Sequence, residues 1–162
     1  MVRGGMRVVL CLMSLCASAA WAEEKEPAAI IELGGVGEWD FTQGKLGPSA
    51  AIEFTPIKDW LEIEAGVSPL FGGGRTEWST DLLFKKPFTL SKTVEFMIGA
   101  GPEWSYTNRA SKIGAEFALD FMVWPWPDRK LGWFVEPTYG YSFSKGHEQA
   151  AAVSVGLLIP IP

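Results

Sequence analysis

The sequence predicts an all-β protein, an eight-stranded antiparallel up-and-down β-barrel that spans a membrane. Three observations support this fold. The chain divides into about eight segments of alternating polarity, and aromatic residues gather at the segment ends. No segment after residue 22 is apolar over the roughly 20 residues that a membrane helix needs. Successive strand side chains point to opposite faces, so an apolar outer face and a polar lumen are expected.

The first 22 residues are predicted to be a secretory signal peptide that is removed, and residues 23–162 to form the barrel domain. Arg3 and Arg7 precede an apolar run, and the Ala-Trp-Ala motif at 20–22 fits a signal-peptidase site. The chain is therefore expected to be exported through the periplasm.

The composition of the remaining chain excludes several functions. Both cysteines, Cys11 and Cys16, lie in the signal peptide, so the mature chain has no disulfide, cysteine-ligated metal or thiol catalysis. Without Arg3 and Arg7 the formal net charge falls from −5 to −7. No run of basic residues remains, which argues against nucleic acid as a partner.

The first half of the barrel is predicted to contain four strands. They lie at residues 29–39, 49–56, 59–68 and 76–85. In each, apolar side chains alternate with acids or small residues, for example Ile63, Glu64 and Ala65 in the third strand. The phase of the alternation directs Glu64 and Asp81 into the lumen.

The second half is predicted to contain four more strands, at residues 93–104, 112–124, 132–143 and 149–159. The clearest alternation is in 112–124, which directs Phe117 and Phe121 outward and Glu116 and Asp120 inward. The seventh strand directs Glu136 inward. Pro137 conflicts with this strand, because a closed barrel has no free edge for a residue without an N–H group. A bulge, a broken ladder or a position nearer the rim would each resolve the conflict.

Aromatic residues form two predicted belts, which suit the headgroup regions of a bilayer. The belt on the side of the termini consists of Trp60, Phe88, Trp124, Trp126 and Trp133. The opposite belt consists of Trp39, Trp78, Trp104, Tyr106, Tyr141 and Phe143.

With these patterns the chain resembles the small bacterial outer-membrane β-barrels of the OmpA/OmpX type. The resemblance is most specific in residues 132–141 (GWFVEPTYGY) and 146–160 (GHEQAAAVSVGLLIP). It implies a location in the bacterial outer membrane, with outer-membrane lipids, lipopolysaccharide and the insertion machinery as partners, and a monomer. It implies no shared activity. The chain ends in Pro162, whereas most such barrels end in an aromatic residue.

The lumen is predicted to be acidic. The phase of the strands directs twelve carboxylates inward and only Lys85 and Lys112 of the basic residues. Five of the acids are expected near mid-height as a cluster: Glu64, Asp81, Glu116, Asp120 and Glu136. A hydrated lumen is one explanation, and a site for a hard divalent cation is the other. A conducting pore fits less well, because side chains largely fill an eight-stranded barrel.

A second, weaker candidate site lies in the last loop. Ser144, His147 and Glu148 supply the residue types of a hydrolase triad, as in a lipid A deacylase. No cofactor motif is visible, and no metal-ligating set is assigned. The sequence therefore predicts a structural or interaction protein without enzymatic activity. The alternatives are a lipid-modifying hydrolase and a cation-binding or leak-conducting barrel.

Overall fold

The eight strands of the protein close into an antiparallel barrel in which each strand pairs with its neighbours in chain order. The computed structural model describes residues 27–126, 128–144 and 146–162. Its strands are β1 (Ala29–Trp39), β2 (Gly44–Ile57), β3 (Leu61–Gly72), β4 (Arg75–Thr89), β5 (Val94–Tyr106), β6 (Ser111–Val123), β7 (Gly132–Ser142) and β8 (Gln149–Ile161). The predicted fold class is confirmed, whereas the predicted signal peptide lies outside the described residues.

The barrel has two distinct ends. At the terminal end, Ala29 of β1 pairs with Ile161 of β8, and the connections β2–β3, β4–β5 and β6–β7 lie on the same side. The loop end carries the other four connections. The shortest is Gly73-Gly74, whose positive φ angles of 58° and 72° suit a two-residue hairpin turn. Within the described residues, no helix has the length and apolar character needed to span a bilayer.

Several strands are longer than the sequence predicts. β2 begins at Gly44, whereas the sequence predicts a start at residue 49. The prediction was wrong because Gly47 and Pro48 are typical loop residues, yet both pair with β1. β4 continues past Pro87 to Thr89. Pro87 pairs with Met97 of β5, and β3 has already ended on its other side. Its missing N–H therefore leaves no ladder incomplete.

The predicted faces of the strands are confirmed by burial. On β6, Phe117 and Phe121 are exposed, whereas Ala118 and Asp120 between them are buried. The outward faces of the other strands are likewise apolar. Their exposed residues include Leu33, Ile52, Val67, Leu82, Phe84, Ile98, Val135, Val155 and Leu157.

One residue of the predicted belts is misplaced. Trp124 is only 1% exposed, and its indole N–H donates to Glu95 Oε2 at 3.2 Å inside the barrel. The alternation of β6 directs residue 124 inward. The prediction assigned Trp124 to the belt because it stands at the end of a strand, and this was wrong. Trp60, Trp126 and Trp133 at the terminal end are exposed as predicted.

Prolines interrupt three of the ladders, and the register is the same on both sides of each of these gaps; the β2–β3 ladder shifts register elsewhere, between Phe54 and Ile57. The β2–β3 ladder lacks pairs where Pro48 and Pro69 face each other, and the β4–β5 ladder lacks them beside Pro102. The β6–β7 ladder lacks them between Ala118–Thr138 and Phe121–Val135, beside Pro137. Proline has no N–H to donate, so these gaps are its direct consequence. Pro137 therefore lies in a broken ladder, not in a bulge or at the rim.

Apolar side chains of the β5–β8 half pack together inside the barrel toward its terminal end. Met97, Met122, Trp124, Phe134 and Leu158 form a cluster in which each residue is at most 3% exposed. They alternate with the outward residues of β5 to β8. We call this cluster the apolar plug; it lies next to the polar part of the lumen, since Met97 is paired with Asp120.

Candidate functional site

Lys85 of β4 is the centre of the polar lumen next to the apolar plug. Its ammonium group donates hydrogen bonds to Glu64 Oε2, Asp120 Oδ2 at 3.0 Å and Glu136 Oε2. Glu53 Oε2 lies 3.9 Å from the same nitrogen. The Lys85 side chain is 0% exposed. We call these five residues the Lys85 cluster.

Strand register brings the members of the Lys85 cluster together. Glu53 and Glu64 are directly opposite each other on β2 and β3. Lys85 is opposite Gly99 of β5, where an added Cβ would lie 2.7 Å from Lys85 Cγ. Gly99 therefore leaves the space that the aliphatic stem of the lysine occupies. A small inward residue such as Gly99 thus makes room in the lumen for a long side chain from the neighbouring strand.

The structure divides the predicted carboxylate cluster into two groups. Glu64, Asp120 and Glu136 bind Lys85 directly. Asp81 and Glu116 instead line a cavity of about 70 Å³ on the loop-end side of Lys85. Neither is paired with Lys85 or with Lys45. The cavity also adjoins Glu64 and Glu136, so the two groups share one lumen.

Two buried acids close to Lys85 are absent from the predicted cluster. Glu32 is 2% and Glu53 is 1% exposed, and both are inward on strands whose alternation the sequence shows. The inward phase was therefore available as a signal. Which acids approach one lysine depends on the stagger of the strands around the barrel, and the alternation does not contain that information.

Further basic residues reach the lumen from its ends. Lys45 of β2 pairs with Glu38 at 2.7 Å and Glu77 at 2.8 Å near the loop end. Arg129, in the β6–β7 connection, pairs with Glu95 at 2.8 Å at the terminal end. The prediction that only Lys85 and Lys112 face inward is therefore wrong. It failed because residues 44–48 were assigned to a loop and because Arg129 lies outside every strand.

Several carboxylate oxygens near Lys85 are buried and have no hydrogen-bond partner. These are Oε1 of Glu32, both oxygens of Glu53 and Oδ1 of Asp120, and further along the lumen Oδ1 of Asp81. An ammonium group has three donors, and those of Lys85 are directed to Glu64, Asp120 and Glu136. Burying an ionised carboxylate without compensation is costly. The cluster therefore contains more carboxyl groups than its lysine can satisfy.

The β1–β2 connection at the loop end is an Asx turn. Asp40 Oδ1 accepts hydrogen bonds from the Thr42 N–H at 3.0 Å, the Thr42 hydroxyl at 2.6 Å and the Gln43 N–H at 2.9 Å. Partial desolvation would raise the pKa of Asp40, but these hydrogen bonds outweigh it and lower the pKa to about 2.

The loop candidates do not form a triad in the structure. The His147 Nδ1 atom is 2.9 Å from the Tyr141 hydroxyl, and Glu148 is paired with Lys112. The His147 backbone N–H donates to the Ser144 carbonyl at 3.1 Å, closing a turn in which His147 has a φ of 49°. Within the described part of the chain, no hydrogen bond joins the side chains of Ser144, His147 and Glu148.

Solved structures with a similar fold are small outer-membrane barrels. Neisserial surface protein A has a TM-score of 0.64 at 10% identity, over 82% of this chain and 96% of that chain. The N-terminal β-barrel domain of Pseudomonas aeruginosa OprF has a TM-score of 0.56 at 14% identity, over 83% and 100%. Ail, the attachment invasion locus protein of Yersinia pestis, has a TM-score of 0.52 at 12% identity, over 83% and 99%.

These similarities show the fold, which is that of the OmpA/OmpX-type barrels that the sequence resembles. No protein-family model matches the chain, and no curated protein sequence matches it.

Proposed function

We propose that the protein is a small β-barrel of the bacterial outer membrane, exported through the periplasm, with a structural or interaction role. The observation that carries this proposal is the outer surface, where large apolar side chains are exposed on every strand of a closed barrel. Such a surface is unsuited to water but suits acyl chains. The fold shared with outer-membrane barrels supports the same location.

The lumen supports a closed, non-conducting barrel. Inside the barrel toward the terminal end lie the apolar plug (Met97, Met122, Trp124, Phe134 and Leu158) and the Glu95–Arg129 ion pair, and the buried Lys85 cluster lies next to them. An ion that crosses the membrane through the barrel would have to displace side chains of the apolar plug and of the Lys85 cluster. We therefore expect no steady conductance in planar bilayers, in contrast to the leak-conducting alternative. Stable channels at neutral pH from a purified, folded sample would contradict a closed lumen.

The proposed partners at the loop end are outer-leaflet lipids, including lipopolysaccharide. Arg75 and Arg109 line a surface cavity of about 530 Å³ together with Trp78 and Tyr106. Both aromatic side chains are exposed at belt level. Guanidinium groups beside such rings suit phosphate-bearing headgroups. The hydrolase alternative has less support, because His147 and Glu148 have other partners.

Location and insertion are tested together by fractionation and gel migration. We expect the protein in the outer-membrane fraction, where the envelope's insertion machinery inserts it. Cross-linking is expected to show a monomer. Unboiled samples should migrate differently from boiled ones, because a closed barrel resists unfolding by detergent. Recovery as a soluble periplasmic protein without a migration shift would contradict the proposal.

A further inference from the structure

The interior of the barrel contains more buried carboxyl groups beside Lys85 than one ammonium group can pair with. Five carboxylates surround this single ammonium group, and each is at most 5% exposed: Glu32, Glu53, Glu64, Asp120 and Glu136. Lys85 forms the ion pairs that are seen for Glu53, Glu64, Asp120 and Glu136. The proposed structural role does not account for this imbalance.

The unpartnered oxygens mark where the imbalance is concentrated. Both oxygens of Glu53, Oε1 of Glu32 and Oδ1 of Asp120 are buried and accept no hydrogen bond. Lys85 does not satisfy Glu53, since their separation of 3.9 Å exceeds hydrogen-bond distance. These atoms therefore need a proton or a cation that Lys85 does not provide.

The geometry of the oxygens is that of a cation site. Glu32, Glu53, Glu64 and Asp120 each offer one carboxylate oxygen, and the four atoms lie within 4.8 Å of one another. Calcium binds oxygens at about 2.3–2.6 Å, so oxygens on opposite sides of the ion are roughly 4.6–5.2 Å apart. Magnesium demands a near-ideal octahedral shell and gives up its water reluctantly, so a site made only of protein carboxylates suits it less than calcium.

We propose that Glu32, Glu53, Glu64 and Asp120 bind a calcium ion beside Lys85, within the closed lumen. The donor set consists only of oxygen, which suits a hard divalent cation. The neighbouring cavity of about 70 Å³, lined in part by Glu32 and Glu64, has room for water to complete the coordination shell. The ion cross-links β1, β2, β3 and β6 inside the barrel.

The experiment measures calcium binding to the full barrel, folded in a zwitterionic detergent free of lipopolysaccharide and treated with EDTA. Calorimetric titration with CaCl2 is expected to show saturable binding of one ion per chain, and thermal unfolding is expected to shift upward with added calcium. MgCl2 is expected to bind more weakly. Glu53→Gln is expected to weaken calcium binding about tenfold or more, since removing one charged ligand leaves three.

Glu116→Gln is the matched control, because Glu116 is an inward carboxylate that lines the cavity but does not belong to the four. It is expected to keep wild-type calcium binding. Glu32→Gln is a second loss variant, and the gel-migration shift verifies that each barrel is folded. Absence of saturable binding to the wild type would overturn the proposal, and the oxygens would then be satisfied by protons. Equal losses in Glu53→Gln and Glu116→Gln would also overturn it, since they would indicate diffuse attraction to an acidic lumen.

Discussion

Removal of the Lys85 ammonium group is the most direct perturbation of the lumen. Lys85→Met keeps most of the aliphatic stem beside Gly99 but leaves Glu64, Asp120 and Glu136 without their shared donor. A hydrogen bond to a charged group contributes about 1.5–3 kcal/mol. The sum of three such contributions overestimates the loss of stability, because burying the ammonium group has a desolvation cost that methionine avoids. We expect the free energy of unfolding to fall by about 3–5 kcal/mol, the range for an uncompensated buried charge.

Urea unfolding of the barrel in lipid vesicles, followed by tryptophan fluorescence in the presence of EDTA, measures this change. Lys112→Met is the matched control, because Lys112 is paired with Glu148 while its side chain is 30% exposed. Its effect is expected to be below about 1 kcal/mol, as for other exposed ion pairs.

A compensated variant separates charge from packing. Lys85→Met combined with Glu64→Gln, Asp120→Asn and Glu136→Gln removes the acids together with the base, so most of the lost stability should return. If Lys85→Met alone changes the unfolding free energy by no more than Lys112→Met does, the lumen around Lys85 is hydrated and the reasoning from burial is refuted.

Three further perturbations test the outer face, a loop and a ladder. Phe117→Arg places a charge on the exposed face of β6 and is expected to cost about 2–4 kcal/mol near the bilayer midplane in the same urea assay; a cost equal to that of Asn108→Arg in the loop would show that this face is not in lipid. The hydrogen bonds that lower the pKa of Asp40 to about 2 stabilise the β1–β2 turn above its ordinary pKa of 3.8, and this stability is lost as the pH falls toward 2. The amide NMR signals of Thr42 and Gln43 should therefore titrate with a midpoint near 2, and a midpoint near 3.8 would contradict the turn. Pro137→Val supplies an N–H group between β6 and β7 and is expected to protect the neighbouring amides from hydrogen exchange, whereas unchanged exchange would mean that the ladder is interrupted for another reason.

The fold was predictable because a strand displays its two faces directly in the sequence. In β6 the alternation of Phe117 and Phe121 with Glu116 and Asp120 determines which side chains face outward. Strand ends were less predictable, since glycine and proline at 47 and 48 resemble a loop although β2 includes them. The same alternation, followed one residue further, gives the buried position of Trp124 that the aromatic-belt pattern obscured.

The candidate site was only partly predictable, because alternation gives the face of a residue but not its height or its partner. Glu64, Asp120 and Glu136 were predicted to share one cluster, and all three bind Lys85. Lys85 lies on β4, which pairs with the strand of Glu64 but not with the strands of Asp120 and Glu136. The contact with Asp120 depends on the stagger between strands and on the space left by Gly99. Neither quantity follows from the spacing of acids along the chain.

The Lys85 cluster and the proline gap of β7 occupy the same part of the barrel. The pairs missing from the β6–β7 ladder fall between Ala118–Thr138 and Phe121–Val135, which is where Asp120 and Glu136 lie opposite each other. Lys85 binds both carboxylates, so a side-chain link joins β6 and β7 at the point where backbone hydrogen bonding is interrupted. Because β7 remains fully paired with β8 through Pro137, its backbone ladder is interrupted only on the side of β6. The Lys85 cluster therefore stabilises the wall of the barrel at one of its interrupted ladders.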